Sequence, residues 1–362
     1  MNAELNSRPL RPLGGTALVN NLPAEGAILL GDSSFDRRFG RPAFPQEKKR
    51  NIPVLGVAAV SMVLCLLVGK AAASGAGTTG ANLLKVAMGV RQAGMGGVGT
   101  ALPGDLAGTL SNPALLSYVS SRSVQLIHWP GMGGLRTEFA SYSIPVGWLG
   151  TWAGTVLYRT LPPIDNAGLS EEAITVNDGM VMMGLGRPLG RSGWLGGANV
   201  KLFNSSLGDI RATSGAVDLG VMRATPGAEP VRYGLAVDNL GLPIKHESVS
   251  AALPLTLRGG ASWTKQWYPH SLTIATEGCF NWEMDARAAA GVEWLQQGKL
   301  ALRAGINASR YAGWSWSLGT GWHMRSAAFG PEAEYEIEYA FVPFPLQTVF
   351  EPTHAFSLYI KF

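Results

Sequence analysis

The chain has 362 residues, of which 46% are hydrophobic and 15% are charged, well below the roughly 25% charged residues of ordinary soluble domains. It contains 29 Lys and Arg against 25 Asp and Glu, but the first 73 residues hold 9 and 5 of these, which leaves 20 of each in the remainder. A remainder with zero net charge excludes nucleic-acid binding through a strongly basic surface. Cys279 is the only cysteine after residue 73, so an internal disulfide is excluded there.

The first 76 residues have the organisation of an export sequence. Residues 1–50 contain proline, glycine and arginine without hydrophobic periodicity, which predicts a disordered leader. In the segment 51–76, an apolar stretch follows the basic residues 48–50 and precedes small residues, the order typical of a signal peptide. We expect export by the Sec pathway, with cleavage near Ala73 or Ala76. A membrane-anchoring helix is the alternative, because about 18 apolar residues are close to the minimum span of a bilayer.

Residues 78–117 are rich in glycine and lack the alternation that follows them. Their apolar residues mix helical and irregular spacings, which predicts a short helix and then a compact Gly-rich loop that ends in a turn at 111–114. In front of a barrel, such a segment is a candidate plug of the lumen. The residues predicted to pack this plug or to contact a ligand are Leu83, Leu84, Val86, Met88, Arg91, Met95, Asn112 and Pro113.

From Arg122 onward, apolar residues recur with a period of two, as in strands with one apolar and one polar face. Most of these runs are close to the 9–11 residues that a tilted strand needs to cross a bilayer. The fourteen predicted strands are 122–130, 136–145, 150–159, 179–187, 193–204, 212–223, 230–238, 254–264, 270–281, 285–295, 299–309, 313–323, 332–342 and 353–362.

The last ten residues show the alternation most simply, with an apolar face made of Phe356, Leu358, Ile360 and Phe362. At the open edge of a sheet such a strand would aggregate, whereas in a closed barrel its edge is paired and its apolar face contacts lipid. We therefore predict an all-β transmembrane barrel of about 14 antiparallel strands over 122–362. The same four residues are predicted to form its barrel-assembly signal.

Aromatic and charged residues favour this barrel over a soluble β-sandwich, whose strands also alternate. Trp148, Trp267 and Tyr268 lie at strand ends, as in interfacial aromatic girdles. A charge facing lipid costs about 2–4 kcal/mol at the bilayer midplane, so the charged residues of the strands should line the lumen, where their mixed signs predict ion pairs. These residues are Arg232, Asp238, Glu277, Asp285, Arg287, Glu293, Arg303, Glu332, Glu334, Glu336 and Glu338. The gaps 160–178 and 239–253 are predicted extracellular loops.

Nine short motifs follow one another across residues 80–362: GANLLK at 80–85, GVR at 89–91, AGMG at 93–96, NPA at 112–114, AVDLG at 216–220, VDNLG at 237–241, LPLTLR at 253–258, LRAG at 302–305 and HAFSL at 354–358. In this order they resemble the motifs of the PorV/PorQ barrels, which belong to the FadL-like superfamily of fourteen-stranded outer-membrane proteins. Three positions depart from the family pattern: Ser111 stands for a tryptophan, Leu115 for a glycine, and Glu338 for an aspartate.

The resemblance implies a non-enzymatic barrel in the outer membrane of a Gram-negative-type bacterium. PorV-type barrels act in type IX protein secretion and bind exported protein in the lumen, which is the function we expect. The alternative is a FadL-like channel that takes up hydrophobic compounds such as long-chain fatty acids. The implied partners are outer-membrane lipid and the barrel-assembly machinery, together with either secretion components and exported proteins or hydrophobic small molecules.

Patterns typical of enzymes are weak in this chain. Residues 94–99 match the glycine spacing of a dinucleotide-binding loop, but no strand precedes them and no acidic residue follows at 115–125, so tight packing of a plug is the expected role. The five histidines contain no pair at metal-ligand spacing. Ser357 and His354 would face opposite sides of their strand. We expect no catalytic residue, no cofactor and no metal.

Overall fold

The computed structural model describes residues 79–85, 88–164, 174–281, 286–309, 313–326, 333–343 and 352–362. The predicted leader and signal peptide lie outside these ranges. So do three of the residues singled out above, namely Val86, Asp285 and Glu332. The predictions that concern them are therefore not tested by the fold.

Sixteen strands occur in the described residues, and fourteen of them form one closed antiparallel barrel. The other two form a small separate hairpin. The barrel strands are β1 (Ser123–Pro130), β2 (Arg136–Pro145), β3 (Thr151–Ile164), β4 (Ile174–Leu189), β5 (Trp194–Leu207), β6 (Ile210–Ala224), β7 (Val231–Gly241), β10 (Thr256–Trp267), β11 (His270–Asn281), β12 (Arg287–Gln296), β13 (Leu300–Ser309), β14 (Gly313–Ser326), β15 (Ala333–Val342) and β16 (Thr353–Lys361), and the hairpin is β8 (Ile244–His246) with β9 (Val249–Ala251).

Pairing of the first and last strands closes the barrel. Their register runs from Ser123 opposite Lys361 to His128 opposite Phe356. The remaining neighbours follow chain order, except that β7 pairs with β10 across the small hairpin. Closure leaves no free strand edge, and the prediction of a 14-strand antiparallel barrel is confirmed. Below, the terminal end is the end at which β1 begins and β16 ends, and the loop end is the opposite one.

The alternation along each strand places apolar side chains outside and polar ones inside. On β5, Val200 and Leu202 are 57% and 58% exposed on the exterior, whereas Asn199 and Lys201 are 0% and 3% exposed in the interior. The last strand follows the same rule, because Phe356 is exposed outside while Ser357 and Tyr359 are buried. An exterior of exposed apolar side chains around an interior that buries charged residues as well as apolar ones is unlike a soluble protein and suits a barrel solvated by lipid.

The predicted strand bounds differ from the observed ones mainly at the loop end. Two strands match completely, at 136–145 and 270–281, and most other ends differ by one to three residues. The predicted loop 160–178 is partly wrong, because β3 continues to Ile164 and β4 begins at Ile174. The residues that extend these strands include Asn177 and Asp178, which carry no apolar signal but still join the ladder through cross-strand hydrogen bonding.

The predicted loop 239–253 is also partly wrong, because its first residues belong to β7 and the next ones form the hairpin β8–β9. The hairpin does not extend freely into solvent: Ile244 is fully buried. Gly80 N donates to Ala252 O at 3.0 Å, and Thr79 bridges the same residue. The segment 239–253 therefore folds back onto the start of the described chain.

The residues that precede the barrel, 79–85 and 88–119, are called the inner segment here. Its one α-helix, α1, spans Val90–Gly94 and packs against β14 and β15. Its three 3-10 turns, Asn82–Lys85, Ala107–Leu110 and Pro113–Tyr118, complete the described regular structure, and the last packs against β4 and β5. Two more 3-10 turns, Met132–Gly134 and Gly147–Leu149, connect β1 to β2 and β2 to β3. Within the described ranges, no helix is both long and apolar enough to cross a membrane.

Substitution of Val200 by arginine should lower the free energy of unfolding by about 2–4 kcal/mol, because the guanidinium would face lipid midway along β5. The matched control is Asn204→Arg on the same face, about 13 Å further along the strand toward the loop end. Reversible urea unfolding in lipid vesicles measures both variants. Equal losses for the two substitutions would contradict the assignment of the β5 exterior to the bilayer.

Candidate functional site in the barrel interior

One wall of the interior approaches the inner segment closely because it is built of glycine. Gly291, Gly305 and Gly319 lie on β12, β13 and β14. A Cβ atom on Gly319 would lie 3.0 Å from Gly94 Cα, and one on Gly305 would collide with the backbone of residues 95 and 96. Gly96 N also donates to Ser317 Oγ at 2.9 Å. The inner segment is thus seated directly on the barrel backbone at this wall.

The opposite wall holds the turn at Asn112 in the same way. Gly197, Gly220 and Gly234 leave room for Asn112 and Pro113, since a Cβ on Gly220 would lie 2.9 Å from the proline ring. Asn112 has the extended backbone expected before proline, with φ −163° and ψ 109°. Its Nδ2 donates to Thr100 O at 2.8 Å, and its Oδ1 accepts from Ala114 N at 3.0 Å. The asparagine therefore caps the following 3-10 turn and ties it to the rest of the inner segment.

A chain of four alternating charges joins α1 to β12, β13 and β15. Arg91 donates through Nε and Nη2 to the two carboxylate oxygens of Glu293, at 2.8 and 2.7 Å. Arg303 Nε donates to the same carboxylate at 2.6 Å, and its Nη2 lies 2.8 Å from Glu338 Oε1. Burial by itself lowers the pKa of Arg91, but the Glu293 carboxylate outweighs it and raises that pKa above its ordinary value. Arg91 therefore stays charged inside the barrel.

A second network surrounds Glu277 of β11. Its Oε2 accepts from Gly99 N at 2.7 Å, Thr100 N at 2.8 Å and Thr100 Oγ1 at 2.9 Å. Its Oε1 lies 3.1 Å from both Arg258 and Arg287, and Arg258 in turn donates to a further carboxylate, Asp238, at 2.7 Å. The buried Glu277 carboxylate thus accepts hydrogen bonds from the backbone of the inner segment and from two arginines of the barrel.

Asp105 is a carboxylate that the inner segment itself buries. Gln92 Nε2 and Gly108 N donate to its Oδ1 at 2.9 and 2.8 Å. Burial nevertheless raises the pKa of Asp105 above its ordinary value, and the charge of Glu336 raises it further. The protonated form of Asp105 is therefore more stable here than in water.

A small pocket with room for about one water molecule lies between the inner segment and the wall, in the loop-end half of the barrel. One side is apolar and the other carries Lys201, Asp238 and Arg258. Both cations are neutralised, Lys201 by Asp218 at 2.7 Å and Arg258 by Asp238. The apolar side is formed by Leu83, Leu84, Leu110, Leu157 and Met180.

The predicted plug residues lie in different surroundings. Leu83, Met88 and Met95 are buried in hydrophobic clusters. Leu83 and its neighbour Leu84 also line the pocket. Arg91 belongs to the charge chain, while Asn112 and Pro113 belong to the turn against the glycine wall. Contact with a ligand stays a prediction for these residues.

The residues predicted to line the lumen point into the interior wherever the structure describes them. Arg232 lies over the ring of Tyr118 and donates to Thr264 Oγ1. Glu334 pairs with Arg325, and Glu336 pairs with Lys361. The others belong to the two charge networks above. The assembly role of Phe356, Leu358, Ile360 and Phe362 stays a prediction; the first three lie on the exterior of β16, and Phe362 follows the last residue of that strand and is exposed.

Several interior residues were missed by the sequence analysis. Lys201, Asp218 and Arg258 carry buried charges in strands that were predicted correctly. Their odd or even position along each strand could have indicated that they face inward, because every second residue of a barrel strand does so. The glycines at 94–99 do serve close packing, as Gly96 and Gly97 have φ of 77° and 86° and contact the barrel wall.

A scan against protein-family models and a search of curated proteins both gave no match. Among solved structures, the fold is similar to that of the TodX deltaS2S3 mutant monoaromatic hydrocarbon channel, at 11% identity over 75% of this chain and 97% of that chain, with a TM-score of 0.50. TodX is a toluene transporter of Pseudomonas putida.

Two further solved structures have lower TM-scores. The alignment with a FadL homologue of Pseudomonas aeruginosa covers 76% of this chain and 98% of that chain, at 12% identity and a TM-score of 0.47. The toluene transporter TbuX of Ralstonia pickettii gives the same coverages at 10% identity and a TM-score of 0.49. At these identities the similarity concerns the fold, and the PorV/PorQ assignment stays a prediction.

Substitution of Glu293 by glutamine should lower the free energy of unfolding by about 3–5 kcal/mol, because Arg91 and Arg303 would lose their shared buried carboxylate. The control is Glu138→Gln, which breaks an exposed pair with His128 and should cost about 1 kcal/mol or less. Unfolding by urea in detergent measures both. A loss for Glu293→Gln no larger than that of the control would contradict the role of the charge chain.

Substitution of Gly305 by alanine should displace residues 95 and 96 from the wall and cost about 1–3 kcal/mol, because the new methyl group collides with their backbone. Gly154→Ala is the matched control, since no atom lies within 4 Å of its added Cβ. Limited proteolysis of the inner segment in the detergent-solubilised barrel reports the displacement. Equal protection in both variants would show that the glycine wall does not seat the segment.

Proposed function

We propose that this protein is an outer-membrane channel for small hydrophobic compounds, in which the inner segment acts as a hatch. The observation that carries the proposal is the pocket between the inner segment and β3, β4, β5, β7 and β10. It combines an apolar side with a few polar groups, which is the usual composition of a small-molecule site. The shared fold with a monoaromatic hydrocarbon channel agrees with this choice of function.

The chemistry of the pocket favours neutral or weakly polar ligands. Lys201 and Arg258 are each held by a buried carboxylate, so neither offers a free charge to an anionic head group. The pocket itself has room for about one water molecule, so a compound enters it only when the inner segment moves away from the wall. Because neither cation is free, a neutral compound suits the pocket better than the carboxylate of the long-chain fatty acids in the sequence-based alternative.

Passage through the barrel requires a change in the inner segment. Its contacts with the glycine wall and with Glu277 and Glu293 hold it inside the barrel, where it also lines the pocket. A compound that enters at the pocket must therefore displace part of the segment or leave through the wall. Location in the outer membrane, Sec export and assembly through the C-terminal strand are parts of the same proposal.

The role in type IX protein secretion stays a prediction from the sequence resemblance. No contact among the described residues and none of the comparisons favours it. Deletion of the gene separates the two functions: loss of hydrophobic-compound uptake supports the channel, whereas loss of surface-exported proteins with intact uptake supports secretion.

Substitution of Met180 by tryptophan should reduce uptake of radiolabelled toluene about tenfold or more, because the larger ring fills the pocket. The control is Val181→Trp, one residue along β4 and 53% exposed on the exterior. Uptake is measured in cells that lack their own channel and express equal amounts of each variant. Uptake by the wild type no faster than by cells without the protein would overturn the proposal.

A further inference from the structure

Three potential metal ligands meet on the inner wall near the terminal end of the barrel. His323 lies on β14, and Glu336 and Glu338 lie on β15. His323 is directly opposite Glu336 in the strand register, and Glu338 is the next inward residue of β15. One ligand atom from each residue lies within 4.8 Å of the others. These residues are brought together by the pairing of the two strands and not by their spacing along the chain.

Several polar atoms at this place are buried without a hydrogen bond in the described part of the chain. They include His323 Nε2 and both carboxylate oxygens of Glu338, whose side chain is 2% exposed. Arg303 Nη2 lies 2.8 Å from Glu338 Oε1, so this carboxylate has an ion pair but no hydrogen bond. Asp105 Oδ2, on the inner segment, is a further buried oxygen without a hydrogen bond among the described residues. Buried acceptors of this kind normally have a partner.

The charges around the cluster are balanced among the described residues. Lys361 pairs with Glu336, Arg303 with Glu338 and Glu293, and Arg91 with Glu293. Each of these three cations already faces a carboxylate, so none of them is an unpaired positive group that would repel a bound ion.

We propose that the His323 imidazole, whose Nδ1 lies 4.0 Å from Glu336 Oε1, and the carboxylates of Glu336 and Glu338 bind a divalent first-row transition-metal ion, with Zn²⁺ as the reference case. Imidazole and carboxylate donors are ligands of such ions. Metal–ligand bonds of about 2.0–2.2 Å place tetrahedral ligand atoms about 3.4 Å apart, so atoms that now lie within 4.8 Å of one another would close by up to about 1.4 Å. His323 and Glu336 are 24% and 13% exposed, which leaves an entry path and a position for water.

The bound ion would link β14 to β15 beside the charge chain that holds α1. This proposal does not depend on the compound that the channel carries, because the cluster lies at the terminal end and the pocket in the loop-end half. Failure of toluene uptake would leave it unaffected, and failure of metal binding would leave the channel proposal unaffected.

Metal binding is tested on the protein extracted from membranes into detergent, prepared without a polyhistidine tag and stripped with a chelator. Titration with Zn²⁺ by calorimetry should give one ion per chain, and Co²⁺ should give visible absorption bands of a bound ion. His323→Ala and Glu338→Gln should each weaken binding about tenfold or more. The control His128→Ala removes a histidine that also faces a glutamate, Glu138, and should bind as the wild type does.

A second variant separates loss of a ligand from loss of the fold. His323→Cys keeps a metal ligand at this position and should bind Co²⁺ with an added thiolate-to-cobalt charge-transfer band in the near ultraviolet. No binding by the wild type, wild-type affinity in His323→Ala, or cobalt binding to His323→Cys without that band would each overturn the proposal.

Discussion

The structure depends on one constraint: in lipid, every backbone N–H and C=O group must find its partner within the protein. The pairing of β1 with β16 meets this constraint by removing the last free edge of the sheet. Once the sheet is closed, the two faces of each strand have different solvents. Lipid surrounds the exterior, so residues such as Val200 and Leu202 are stable there, and polar residues must go inside.

Charged residues that face the interior need partners there, and the inner segment supplies some of these partners. A charge buried without a partner is strongly destabilising, so the carboxylates of Glu277 and Glu293 need cations and N–H donors. The barrel wall supplies Arg258, Arg287 and Arg303, and the inner segment supplies Arg91 and the N–H groups of Gly99 and Thr100. Wall glycines bring the two backbones close enough for these contacts. The barrel wall and the inner segment therefore each supply partners for the buried charges of the other.

The two ends of the interior differ in chemistry as a result. In the loop-end half, paired charges lie beside leucine side chains around the pocket, which suits a hydrophobic compound. At the terminal end, a histidine and two carboxylates meet, which suits a metal ion. The ion-paired inner segment is held inside the same barrel, so any passage through the barrel must rearrange the contacts that stabilise it.

The amino-acid sequence by itself determined the membrane strands and the faces of their residues, because the period of two depends on local backbone geometry and on the solvent of each face. Polar strand ends, such as Asn177 and Asp178 at the loop end of β4, were missed because they carry no such pattern. The inward fold of 239–253 and the partner of each charge, such as Lys201 with Asp218, were decided by tertiary structure. The same holds for the cluster of His323 with Glu336 and Glu338. These contacts join residues that are far apart in the chain. They depend on the strand register and on the path of the inner segment, and no local spacing of residues encodes either.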